Sequence, residues 1–351
     1  MRIAQIAPLY ESVPPKWYGG TERVVSELTE ALVRKGNDVT LFASGDSVTE
    51  AQLVPCCSES LRLNRSVVDQ LAYHVLMLEQ VSKLADSFDI IHSHVDYLAY
   101  PLFRRVTPPT ITTLHGRLDL PDLIPLYREF RDIPVVSISD AQRKPVPSIN
   151  WQGTVYHGLS ADRFEFRKTP GDYLVFIGRI SPEKRVDRAI ELAERVGVPL
   201  HIAAKVSETD SAYFDAVIKK KLENPLVTFH GEVDDSDKSI LLKNALALLF
   251  LIDWPEPFGL VMIEAMAAGT PVIATPCGSV SEIISHTKNG FIVRSIDEAV
   301  RAVEAARTHD RIKCRKLFEE RFTADIMADK YLELYHSLYH DYAGISVAAN
   351  F

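Results

Sequence analysis

Apolar and polar positions fall into two cycles of the same form. In the first, an apolar run over residues 2–7 leads into a loop over 8–20. Val24, Val25, Leu28 and Leu32 then follow at the spacing of one helix face, predicting a helix over 21–35. Gly36 ends it, and residues 38–43 (DVTLFA) read as the next strand. The second cycle has a strand over 173–177, a loop over 178–185 and a helix over 186–196. Gly197 stops that helix before a strand over 200–204. Further strands are expected at 90–91, 110–114, 135–138, 154–156, 227–229, 246–251 and 272–274. A last helix over 324–342 carries Met327, Tyr331, Leu334, Tyr335 and Leu338 on one face.

Strand, loop and helix in repeated order imply α/β architecture with two doubly wound parallel sheets. A chain of 351 residues exceeds what one core usually supports, so two domains are expected. The polar segment 160–172, with Pro170-Gly171, reads as the linker between them. The expected division is 1–162 for the first domain, to which the helix beginning near 324 returns, and 163–323 for the second. Ligands of such sheets sit beyond the carboxyl ends of the strands. Functional residues should therefore lie in the loops that follow strands.

Composition narrows the classes. At 46% hydrophobic and 25% charged the chain is ordinarily globular. A net charge of -8 gives no support for nucleic-acid binding and argues against an electrostatic hold on anionic lipid. Cys56, Cys57, Cys277 and Cys314 form no CxxC pair and no disulfide framework. Residues 1–10 lack the features of a signal peptide, and the longest apolar run, 245–252, is too short to span a bilayer. The expectation is a cytoplasmic protein without integral membrane association. Residues 118–130, flanked by Arg117 and Arg131, read as a lid or acceptor loop, with peripheral membrane contact as the alternative.

The most informative stretch is 254–273, WPEPFGLVMIEAMAAGTPVI. A strand runs into a proline-flanked Glu256, then a helix, then a Gly-Thr-Pro turn. Pro257 suits a first helical turn, which would set a helix N-terminus and its anion-binding amides at the sheet edge. Glu256 and Glu264 are eight positions apart, roughly 12 Å on a helix. Paired glycosidase carboxylates sit roughly 5–9.5 Å apart. The wider spacing suits a long ligand, such as a sugar nucleotide, gripped at both ends.

This stretch resembles the signature of the family 4 retaining glycosyltransferases, which have the GT-B fold: two Rossmann-like doubly wound parallel-sheet domains facing across a cleft. The resemblance covers nearly the whole chain. It implies that Glu256 contacts hydroxyls of the transferred sugar and that Glu264 holds the ribose. It further implies that backbone amides near Phe258, Gly259 and Leu260 bind sugar and phosphate. Gly178-Arg179 through Lys184 is similar to the family's G-R-(x)4-K loop, so Arg179 and Lys184 are expected to grip the diphosphate. Two fixed cations would stabilise that leaving group without a metal.

Tyr18-Gly19-Gly20-Thr21-Glu22 follows the first strand. Gly19 and Gly20 permit close backbone approach to a ligand, and Thr21 suits an N-cap. The family's matching loop closes over phosphates and acceptor. It is not a dinucleotide G-x-G-x-x-G. Thr113-Leu114-His115-Gly116 resembles the T-x-H-G motif, which places His115 by the 6-hydroxyl of the sugar and the reaction centre. Asp89 to His94 (DIIHSH) resembles another strand end of the family. His92 and His94 lack further metal ligands at a suitable spacing. Asp235-Ser236-Asp237 reads as a cap for a helix near Lys238 rather than a metal motif. Gly231-Glu232-Val233 matches the turn that borders the nucleotide base, and Lys205, at a strand end, is expected to face the donor. The family's Asn-Gly-Val-Asp turn is replaced by His157-Gly158-Leu159-Ser160, a departure on the acceptor side.

The resulting expectation is a retaining hexosyltransferase with no cofactor and no metal. UDP-sugar is favoured as donor from its frequency in the family. The acceptor (glycan, lipid-linked sugar or small molecule) stays open. Alternatives are a sugar phosphorylase, a sucrose-synthase-like enzyme, or a non-catalytic sugar-nucleotide binder.

Overall fold

The computed structural model describes residues 1–17 and 19–348. The chain divides into two compact units, one of residues 1–158 with 324–351, the other of 159–323. Leu159 donates its amide to the Phe322 carbonyl and pairs with Thr323, which ties both ends of the second unit together.

The first unit is built on a parallel sheet of β1 (Arg2–Ile6), β2 (Asp38–Ser44), β3 (Gln52–Cys57), β4 (Ile90–Ser93), β5 (Thr110–Thr113), β6 (Val135–Ser137) and β7 (Trp151–Thr154). Its strand order is β3-β2-β1-β4-β5-β6-β7. The order reverses between β1 and β4, so the loops after those two strands diverge and open a crevice. β1 and β4 are in register with Gln5 opposite His92. The helix Gly20–Arg34 covers one face with Val24, Val25, Leu28 and Leu32, each fully buried. The final helix, Ala324–Ala348, belongs to this unit and buries Tyr331 and Tyr335 completely.

The second unit has β8 (Tyr173–Arg179), β9 (Leu200–Lys205), β10 (Val227–Gly231), β11 (Ala245–Phe250), β12 (Val272–Ala274) and β13 (Gly290–Ile292), all parallel. Its order is β10-β9-β8-β11-β12-β13, with the reversal between β8 and β11. The helix Val186–Val196 packs Val186, Ala189, Ile190 and Ala193 into the core beside Leu174, Ile202 and Leu249. Gly197, at φ +64°, ends it in the left-handed conformation that glycine adopts without strain.

Several local expectations are corrected. β3 was not expected, because the exposed Gln52 and Pro55 obscure its pattern; as the edge strand of its sheet it tolerates a proline. β7 begins at Trp151, ahead of the expected 154–156, because Trp151 buries its edge against the core while Gly153 hides the alternation. Thr21 is not the N-cap of its helix: Gly19 is, with no side-chain cap. The helix expected near Lys238 starts at Asp235, and Asp234 caps it by accepting from the Asp237 amide.

Candidate functional site

In the second unit the two loops at the strand-order reversal carry most of the predicted residues. Arg179 closes β8, and Lys184 ends the short turn after it. Glu256 lies in the loop after β11, and its residue is 8% exposed. These loops meet. The Lys184 ammonium donates to Glu256 Oε2, and the Trp254 indole N–H donates to the same oxygen at 2.9 Å. Lys184 Nζ also lies 5.1 Å from the Trp254 ring centroid and 5.6 Å from that of Phe250, a position in which ring faces attract a cation. The Lys184 ammonium is thus flanked by aromatic rings and paired with one carboxylate.

Arg179 donates to Glu183 Oε1 at 2.6 Å, and its Nε lies 3.3 Å from Asp210 Oδ2. Burial alone would raise the Glu183 carboxyl. Its own amide, Ser181 and Arg179 outweigh that and hold it below the usual range. Arg185 is turned away from this group. Its left-handed backbone (φ +53°) directs the guanidinium to Asp187 and Asp253, at 2.9 and 3.0 Å. These residues line a shallow depression of about 500 Å³ with Pro182, Glu183 and Tyr213. Of the three basic residues here, Lys184 pairs with Glu256, Arg179 with Glu183 and Asp210, and Arg185 with Asp187 and Asp253.

The helix Leu260–Ala267 starts later than the proline suggested. Pro255 and Pro257 lie in the loop before it, and Gly259, at φ +81°, is the N-cap. A left-handed N-cap is open to glycine without cost. Phe258 is buried, Gly259 and Leu260 are half-buried, and the first helical amides emerge there, as at any helix N-terminus. Only Leu260 to Glu264 of the Glu256–Glu264 interval is helical, so the helical-rise spacing does not apply to it.

Glu264 is 4% exposed and receives the Lys238 ammonium at 2.6 Å. Lys238 was not singled out from the sequence; its partner lies 26 positions away on another helix, beyond any local spacing rule. Lys238 also bridges to Asp235 at 3.3 Å, and Asp235 accepts from Arg163. Both carboxylates of the E-x7-E motif thus carry a lysine. Lys205 lies 3.8 Å from Glu232, beside the Gly231 turn at φ +72°. Val233 is half-buried in the same turn.

A brace behind Glu256 was also not foreseen. The Ser279 amide donates to the Glu256 carbonyl at 2.9 Å, and Ser279 Oγ donates to the Phe258 carbonyl at 2.8 Å. Gly278 packs directly on the Glu256 backbone. A Cys-Gly-Ser turn carries no recognisable chemistry, so only the fold reveals it.

In the first unit Gly19 is tightly enclosed: an added Cβ would meet Pro15 at 2.8 Å and the Glu22 carboxylate at 3.1 Å. Gly20 is exposed, and Tyr18 of this motif lies outside the described residues. Glu22 is buried, and burial pushes its carboxyl up to about 7. His115 follows β5, and its Nε2 is 2.9 Å from His94 Nδ1, while its ring stacks on His157. Burial lowers the His115 imidazolium to about 3, so the ring is neutral. His92, His94 and His157 are likewise held well below the ordinary value by burial and by one another. His92 bonds to Tyr335 and Thr113 at 2.6 and 2.7 Å, in the buried core of the first unit. Among the described residues no helix is long and apolar enough to cross a membrane.

Two family models match this chain: "Glycosyltransferase Family 4" over residues 18–144 and "Glycosyl transferases group 1" over residues 160–320. Among known proteins it is similar to an uncharacterized glycosyltransferase of Methanocaldococcus jannaschii, 25% identical over 84% of this chain and 85% of the relative. It is also similar to the O-antigen chain mannosyltransferase C of Escherichia coli, 24% identical over 96% of this chain and 99% of the relative. A crystal structure of an Anabaena protein in complex with UDP and glucose shares the fold, with a TM-score of 0.72, 18% identity, and coverage of 96% of this chain and all of that one.

Proposed function

The chain belongs to the group 1, family 4 glycosyltransferases of GT-B fold, and from that membership we propose its reaction: transfer of a hexose from a nucleotide-diphosphate sugar to an acceptor hydroxyl with retention at the anomeric carbon. UDP is the favoured nucleotide, in line with the UDP and glucose held by the Anabaena neighbour. The observation that carries the reading is the meeting of Lys184 and Glu256 at the reversal of strand order, on loops distant in sequence.

The roles follow from the family resemblance, and for the cations and carboxylates from charge. Arg179 and Lys184 hold the diphosphate and stabilise the charge that grows on it as the glycosidic bond breaks. No metal is assigned to this task. Lys184 then shares its charge with phosphate, and Glu256 turns to the sugar hydroxyls, still held by Trp254. Glu264, oriented by Lys238, accepts from the ribose diol. Lys205 and the turn Gly231-Glu232-Val233 border the base. The amides around Phe258, Gly259 and Leu260 meet sugar and phosphate. On the first unit Gly19, Gly20 and His115 serve the acceptor side and the transferred sugar. The acceptor oxygen bonds to the anomeric carbon on the face from which the diphosphate departs, and the acceptor proton passes to the departing phosphate oxygen.

A thermal-shift screen with UDP, GDP and ADP sugars identifies the donor, because a bound donor raises the melting temperature by mass action. Proton NMR of the first product formed then reads the anomeric configuration. Retention and full activity in EDTA are expected. Inversion, or activity lost to EDTA and restored by a divalent cation, overturns the mechanism.

A further inference from the structure

A single chain of hydrogen bonds runs through the core of the first unit and ends on His115. Tyr331 Oη and Thr113 Oγ1 are 2.7 Å apart, and Thr113 Oγ1 lies 2.7 Å from His92 Nε2. His92 Nδ1 is 2.6 Å from Tyr335 Oη. Gln5 Nε2 donates to Tyr335 Oη at 3.0 Å, and Gln5 Oε1 is 2.8 Å from His94 Nε2. His94 Nδ1 is 2.9 Å from His115 Nε2. Gln5, His92, Thr113, Tyr331 and Tyr335 are fully buried, and His94 is nearly so. Hydroxyls and neutral imidazoles can each donate in either direction. The Gln5 amide cannot: its nitrogen only donates and its oxygen only accepts. It therefore sets the direction of the bonds to His94 and His115 and, when the Tyr335 hydrogen is used within the chain, of those beyond Tyr335.

The direction can be followed outward from Gln5. Its oxygen requires a hydrogen on His94 Nε2. A neutral imidazole with hydrogen on Nε2 has only a lone pair on Nδ1. His94 Nδ1 must then accept from His115 Nε2–H. His115, also neutral, is left with its lone pair on Nδ1, which has no hydrogen-bond partner among the described residues. On the other side, Tyr335 accepts from Gln5 and donates to His92 Nδ1. His92 Nε2–H donates to Thr113, and Thr113 to Tyr331. A half-turn of the Gln5 amide reverses the whole chain and moves the His115 hydrogen to Nδ1.

We propose that Gln5 is a positioning residue which, through His94, fixes His115 as the Nε2–H tautomer, so that His115 presents a hydrogen-bond acceptor to the transferred sugar. This rests on the reading that His115 lies beside the 6-hydroxyl of that sugar. The site then selects a group that donates a hydrogen bond. A hydroxyl satisfies it, and a fluorine at the same place does not. Tyr335 holds the Gln5 amide nitrogen at the other end of the same chain.

The test has two arms that fail separately. In the first, 15N NMR of the free protein reads the His115 ring, assigned against His115→Gln. Nε2 is expected as the protonated nitrogen and Nδ1 as the unprotonated one. Gln5→Met and Tyr335→Phe should each convert this pattern to a tautomer mixture and lower kcat about tenfold with donor KM little changed. If a variant fails to fold, the wild-type spectrum still decides. A protonated Nδ1 in wild type, or an unaltered pattern in both folded variants, overturns the proposal. In the second arm, 6-deoxy and 6-fluoro donors are compared with the parent donor. Equal loss with both supports acceptance by His115. Retained activity with the fluoro donor alone contradicts the tautomer. Full activity with both refutes the placement of His115 by this hydroxyl, while the NMR result on Gln5 stands independently.

Discussion

Gly278 rests on the backbone of Glu256: a Cβ at Gly278 would lie 2.3 Å from both the amide nitrogen and the carbonyl oxygen of Glu256. Its φ of +59° adds the left-handed requirement. No side chain fits without moving the loop that aims Glu256 at Lys184. Gly278→Ala is therefore expected to cost about 2–3 kcal/mol of stability and most of the transferase activity. Melting temperature and initial rates with saturating donor check this. A variant with wild-type rates would mean that the position of Glu256 is not critical.

This contact also marks where sequence reading stops. The second βαβ cycle was legible because Val186, Ala189, Ile190 and Ala193 repeat at helical spacing between two short apolar strands. Arg179, Lys184 and Glu256 were legible as candidates because loops after parallel strands are where such sheets bind ligands, whereas Glu264, inside the helix Leu260–Ala267, was legible as a candidate through the family resemblance. The partners that hold them were not legible. Lys238 reaches Glu264 from another helix, and Ser279 and Gly278 brace Glu256 from a turn with no chemical signature. The late start of the helix at Leu260 depends on the left-handed backbone of Gly259, which a Pro-x-Gly string does not specify. β13 escaped notice because it is three residues long and opens with glycine.

Lys238 and Glu264 form a mostly buried pair, with side chains 16% and 5% exposed. Lys238→Met strands a carboxylate, which is expected to cost about 2–3 kcal/mol and to weaken donor binding. Adding Glu264→Gln should return most of the stability and none of the donor affinity. Chemical denaturation of the four proteins in the double-mutant cycle measures the coupling.

Glu22 gives the fold a pH dependence. Burial raises its folded-state carboxyl from 4.5 to about 7, with Arg62 and backbone amides opposing and Glu11 reinforcing the shift. The protonated form is favoured in the folded state, so its stabilising contribution is whole below about 4.5 and lost as pH rises through 7. At 1.36 kcal/mol per pH unit this amounts to about 3 kcal/mol. Glu22→Gln should flatten this part of the stability profile and raise the melting temperature at pH 8. Parallel profiles for wild type and variant would show that Glu22 does not titrate in this range.

Trp254 holds Glu256 by its indole N–H and faces Lys184 with its ring. Trp254→Phe removes the first contact and keeps much of the second. A fall in kcat of about tenfold is expected, one hydrogen bond to a charged group, with nucleotide affinity preserved. Steady-state kinetics and UDP inhibition separate the two effects.

The central claim is that Arg179 and Lys184 grip a nucleoside diphosphate. Isothermal titration of UDP, GDP and ADP into wild type, Arg179→Ala and Lys184→Met, in buffer containing EDTA, tests it most directly. The account predicts metal-independent binding of one of these nucleotides to wild type and a loss of at least tenfold in affinity with either substitution, corresponding to at least 1.4 kcal/mol. Unchanged affinity in both variants, or no binding of any of the three to wild type, would contradict it.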